Sequence, residues 1–198
     1  MDMSRAAPGE SQWQLLDEYA LNARFDAAWI DTENIEEIAE RFRVDPGSGI
    51  LCDLETAFTL ADDNEQDTLV WIGGHSPGWS VAITMSGSFT LREEASAGRR
   101  RIISHWHLGD LGETGDEGMV YYQDGELIGR LGVEAFQDYA GDLETSHEGG
   151  FEEEVEGYLI LAGRVTGRFL DRDWFAASRV LYRVPADAWP SLFKPFPT

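Results

Sequence analysis

The chain has 198 residues and a formal charge of −22, from 37 acidic against 15 basic side chains. That length suits one domain with its own apolar core, and a single cysteine, Cys52, excludes an internal disulfide. With no apolar run of about 18 residues and no basic start leading into an apolar stretch, the expectation is a cytoplasmic protein without membrane contact.

Residues 1–12 are small and polar around Pro8-Gly9 and are expected to be disordered. Trp13, Leu16, Ala20 and Ala23 then recur at helical spacing, and Phe25, Ala27 and Trp29 alternate as in a strand. Ile35, Ile38, Ala39 and Phe42 form the apolar stripe of a helix over 33–43, capped by Asp31 or Thr32 and ended by Pro46-Gly47. Asp53 to Leu60 supports a helical turn or two, and 62–65 reads as a loop.

Leu69 to Ile72 is a short strand, linked by Gly73-Gly-His-Ser-Pro-Gly78 to Trp79, Val81, Ile83 and Met85, which alternate with small polar residues as in a strand with one face toward water. An antiparallel pairing of the two strands places Trp71 near Trp79. The glycine-rich link lacks the lysine and the following helix of a phosphate loop. Arg99-Arg100-Arg101 leads into a strand with Ile102, Trp106 and Leu108 on one face and Ile103, His105 and His107 on the other, followed by a loop over 109–117.

Met119 to Gln123 and Glu126 to Leu131 flank Asp124-Gly125, which accepts the positive φ angles of a type I′ turn; Tyr122 then faces Leu127 and Val120 faces Gly129. After 133–139 and an acidic loop to Gly150, Phe151, Val155, Leu159, Ala162 and Val165 predict a helix over 151–166 with Gly167 at its end. Asp171 can cap a short turn, and Arg179 to Val184 returns as a strand. The sum is a single α+β domain over 13–187: a mainly antiparallel sheet of five to seven strands with the helices on one face, followed by a proline-rich tail at 188–198.

The stretches Trp71 to Ile83, Ile102 to His107, Met119 to Ile128 and Gly157-Tyr-Leu-Ile-Leu-Ala-Gly-Arg-Val-Thr-Gly167 followed by Phe169-Leu-Asp together resemble an uncharacterised actinobacterial family, catalogued as a domain of unknown function. The resemblance spans 24–184 and implies alternating strands around a tryptophan, a hairpin, and an alanine- and leucine-rich helix. It carries no activity and no functional residue. Small acidic families of this sort resemble immunity or defence-accessory proteins, which is what the likeness implies here.

Candidate functional residues fall into three groups. The acidic face formed by Glu148, Glu152, Glu153 and Glu154 can dock a basic protein, although acids at a helix start are also favourable on their own. Arg99, Arg100 and Arg101 can hold an acidic segment of a partner or pair with carboxylates of their own chain. His105 and His107, two apart on one strand face, can supply two metal ligands if a carboxylate joins them, or can serve as buried structural side chains. Trp29, Trp71, Trp79, Trp106 and Trp174 read as core. Cys52 and the serines sit in no nucleophile motif. The reading is a non-catalytic acidic module that binds a basic protein partner, with no cofactor and no direct nucleic-acid contact. A metal-dependent enzyme using His105 and His107, or a nucleic-acid mimic, are the alternatives.

Overall fold

The computed structural model describes residues 2–63, 67–87, 92–109, 113–130, 136–143 and 150–184. Helix α1 (Gln12–Glu18) leads into strand β1 (Arg24–Ile30), helix α2 (Ile35–Arg41), a 3-10 turn (Pro46–Ser48), strand β2 (Ile50–Cys52) and helix α3 (Leu54–Asp62). Strands β3 (Thr68–Ser76) and β4 (Trp79–Ser86), a helical turn α4 (Arg92–Ala95), and strands β5 (Arg101–Leu108), β6 (Glu113–Gln123) and β7 (Glu126–Arg130) follow. The remaining described elements are the short α5 (Gln137–Ala140), the long α6 (Phe151–Thr166), α7 (Arg172–Ala176) and β8 (Arg179–Val184).

The described strands form one antiparallel sheet of eight, in the order β2-β8-β3-β4-β1-β5-β6-β7, against the five to seven expected. The unforeseen strand is β2, whose three residues are too few to display alternation. Because side chains alternate across a strand, β1 sends Phe25, Ala27 and Trp29 to one core and Ala28 and Ile30 to another. The first core is closed by α1, α3, α6 and α7, through residues such as Leu16, Ala57, Leu159 and Trp174; the second is closed by Ile38 and Ala39 of α2, Phe42 just past its end, and Ala95 of α4. The helices therefore cover both faces, which corrects the placement of 33–43 and 151–166 on the same side. The polar side of β4 is buried as a result, with Ser80 Oγ donating to Thr32 O at 2.7 Å.

Local signals place several elements. Asp124 (φ 54°) and Gly125 (φ 83°) make the β6–β7 turn, and Tyr122 opposes Leu127; a bulge beside Tyr121 then sets Val120 against Arg130 and Tyr121 against Gly129, correcting the farther pair. Helix α6 ends at Gly167, left-handed at φ 86°, whose N–H donates to Gly163 O. Asn34, rather than Asp31 or Thr32, caps α2. Strand β3 runs on through the glycines to Ser76, so Trp71 opposes Ile83 and Trp79 opposes Ser76; Trp71 instead meets Trp174 edge-on at 5.4 Å. Strand β6 already begins at Glu113, inside the loop expected over 109–117.

Contacts tie residues 2–11 to the domain: Arg164 Nε donates to Ala6 O at 2.7 Å, Arg5 pairs with Asp142, and Ser11 Oγ caps α1 while donating to Glu156. Trp106 is 37% exposed, unlike the other four tryptophans assigned to the core. Among the described residues no helix is long and apolar enough to cross a membrane. Glu148, the segments 131–135 and 144–149 and the tail at 188–198 lie outside the described residues.

Candidate functional site

The end of α1, the length of α3 and the end of α7 surround an open groove of about 460 Å³. Each wall is set by a local rule. Asp53 Oδ1 accepts from Thr56 N–H at 2.9 Å and starts α3, which puts Leu54 and Phe58 four residues apart on one helix face. Asp171 Oδ1 accepts from Trp174 N–H at 2.7 Å and starts α7, which delivers Phe175. Tyr19, just past α1, stacks on Phe175 with ring centroids 4.6 Å apart and planes at 24°. Leu54 and Phe175 are buried, Tyr19 and Phe58 only partly so.

Carboxylates ring this apolar surface: Glu18, Asp53, Glu55 and Asp62. Glu18 is held below its ordinary range by a hydrogen bond from Arg172, which grips it through two nitrogens at 2.6 and 3.2 Å. Asp53 is likewise lowered by its bond to Thr56. Glu55 and Asp62 are exposed and form no ion pair among the described residues. Asp62 and Asp63 stand at the C-terminal end of α3, where the helix dipole disfavours negative charge by roughly 0.3–1 kcal/mol apiece.

Two of the three clustered arginines are paired within the chain. Arg100 clasps Glu37 through Nε and Nη2, both at 2.8 Å, and Arg41 shares the same carboxylate at 2.9 Å. That grip lowers Glu37 to about 2 and raises Arg100. Arg101 pairs with Asp31 at 2.9 Å and lies over the Trp79 ring at 5.1 Å. Arg99 is exposed at φ 70°, its N–H donating to Asp124 at 2.8 Å beside the β6–β7 turn. Arg100 and Arg101 thus tie α2 and the end of β1 to the start of β5, while the side chain of Arg99 stays exposed.

Glu152 and Glu153 are exposed at the start of α6, but Glu154 is 2% exposed and accepts from the Tyr158 hydroxyl. The glutamate face is therefore split by the helix's own rotation, one member turning into the core.

His105 and His107 share one strand face, as expected, and both are fully buried beneath α1 and α6, in contact with Trp13, Phe25, Phe151 and Tyr158. His105 Nδ1 lies 2.8 Å from the Gly118 carbonyl, which can only accept, so Nδ1 donates to it; His105 Nε2 and His107 Nδ1 are hydrogen-bonded to each other at 3.2 Å. His107 is lowered to about 4, chiefly by burial, with the carbonyls of Asn22 and Leu21 acting in the opposite sense. No third histidine, cysteine or carboxylate completes a metal-binding group among the described residues.

Tyr19, Phe58, Phe175, Glu55 and Asp62 were absent from the sequence candidates because three separate segments meet to form the groove. One local signal was available: a capping aspartate followed by an apolar i, i+4 pair and a helix ending in two acids. Comparison with protein-family models, curated proteins and solved structures finds no match for this chain.

Proposed function

We propose that this protein is a non-catalytic binding module for a basic protein partner, and that the partner seats on the groove between α1, α3 and α7. The supporting observation is the combination of an aromatic floor, Tyr19 on Phe175 with Phe58 beside them, and a carboxylate rim that includes Glu55 and Asp62. Such a surface fits a side chain with an apolar stem and a cationic head, as arginine and lysine have. The formal charge of −22 adds long-range attraction for a basic partner. A module with these properties suits an immunity or defence-accessory role against a basic effector, in keeping with the resemblance drawn from the sequence.

The test uses short arginine- and lysine-bearing peptides as probes, with affinity and association rate measured across ionic strength. Phe58→Ala together with Glu55→Gln and Asp62→Gln should weaken binding and flatten its salt dependence. If Glu152→Gln with Glu153→Gln has that effect and the groove variant has none, the site lies at the start of α6 and the groove assignment fails.

A further inference from the structure

Strand β2 is one edge of the sheet: it pairs antiparallel with β8 on one side and with no strand on the other among the described residues. Native edges usually blunt themselves with charge, proline or a covering segment. At three residues this edge is short, another of those devices, yet it carries no charge or proline and exposes Ile50 (54%) and Leu51 (71%). The edge is also fixed at both flanks by hydrogen bonds. Asp45 caps the 3-10 turn before it, accepting from Gly47 N–H at 2.9 Å, and Asp53 caps α3 directly after it. Gly49 lets the chain lie against β8, since a side chain there would meet Val180 at 2.4 Å, and Cys52 O is held by Trp71 Nε1 at 3.2 Å.

The residues that follow β2, Asp53, Leu54 and Glu55, are the near wall of the groove. We infer that the partner engages through an extended segment alternating apolar and basic residues, which adds a strand to β2 and carries its cationic side chains on toward Asp53 and Glu55. This rests on the reading of the protein as a binding module for a basic partner and specifies how that partner is held. Main-chain hydrogen bonds to the open edge supply affinity, and the alternation supplies selectivity, because successive side chains fall on opposite faces, beside Ile50 on one and Leu51 on the other. A second copy of this chain is disfavoured as the occupant: pairing β2 with itself brings two chains of formal charge −22 together at their acidic flanks.

The probe is a short capped peptide alternating valine with arginine, compared with its N-methylated form and with a helix-forming peptide of equal charge. Amide hydrogen exchange should slow at residues 50–52 when the alternating peptide binds. N-methylation, which removes main-chain donors and leaves the charge, should weaken binding by about tenfold or more for two or three lost hydrogen bonds. Leu51→Ser, which removes the apolar contact without changing the charge, should weaken it, while Leu127→Ser on the opposite edge strand should leave it unchanged. If the helical peptide binds as well, N-methylation is without effect and β2 amides exchange as before, the strand-addition inference is overturned while the basic-partner reading stands. Sensitivity to Leu127→Ser instead, or dimerisation of the free protein that Leu51→Ser abolishes, also overturns it. If no basic peptide binds even at low salt, both readings fail.

Discussion

Replacing Glu37 with glutamine isolates the ion-pair network that holds Arg100 and Arg41. In the native protein this carboxylate accepts from Arg100 at 2.8 Å, Arg41 at 2.9 Å and Thr32 at 3.1 Å. Its side chain and those of Arg41 and Arg100 are 22–31% exposed, sheltered enough for the interaction to count. A carboxylate held at about 2 instead of 4.5 contributes roughly 3 kcal/mol at neutral pH, and partial solvent screening brings the expectation to about 2 kcal/mol. Glu37→Gln keeps the size but leaves two guanidinium groups without their shared counter-charge. Because the folded pKa is depressed, this stability is complete above the ordinary carboxylate pKa and is lost as pH falls through 4.5 toward 2. Urea denaturation of both proteins at a series of pH values is the assay: the gap between them should be about 2 kcal/mol at pH 7 and should shrink steadily in acid. Effects of overall charge are nearly common to both proteins and largely cancel in the difference. A gap below about 0.5 kcal/mol at pH 7, or one that persists undiminished to pH 3, would falsify the assignment of the cluster to a structural role.

Other expectations follow from single sites. Gly125→Val places a β-branched residue at φ 83° and should cost about 1 kcal/mol or more, lowering Tm by roughly 2–4 °C; an unchanged melting curve counts against the type I′ turn. Trp79→Ala removes a side chain that is 7% exposed and should cost roughly 3–5 kcal/mol, so a loss under about 1 kcal/mol contradicts its place in the core. His107 and His75, both lowered to about 4 chiefly by burial, should be neutral in the folded protein at pH 5. Since the unfolded chain takes up those protons near 6.5, stability should fall as pH drops from 6.5 toward 4. Imidazole NMR titration with midpoints near 6.5 for both rings refutes that burial.

The features legible from the amino-acid order alone are those that depend on a few neighbouring residues. Asp124-Gly125 prescribes its turn because only certain residues tolerate successive positive φ angles. The α6 boundaries follow from an apolar stripe of period 3.6, acids in the first turn and a terminal glycine. Alternation in β5 correctly puts His105 and His107 on one face. What those residues do there depended on partners remote in sequence. Gly118 O and the packing of α1 and α6 turn the histidines into a buried hydrogen-bonded pair, and the rotation of α6 over the sheet decides that Glu154 is buried while Glu152 and Glu153 are exposed. Strand order set the rest. With β8 lying between β2 and β3, and β1 between β4 and β5, the central strands bury both faces, α2 goes to the side opposite α6, and β2 becomes an edge. Periodicity reports which face of an element is apolar, not which element will cover it, because non-local pairing is chosen by the packing of the whole chain. The groove of Tyr19, Phe58 and Phe175 belongs to that second kind: three segments, each ordinary alone, become a site only where the fold brings them together.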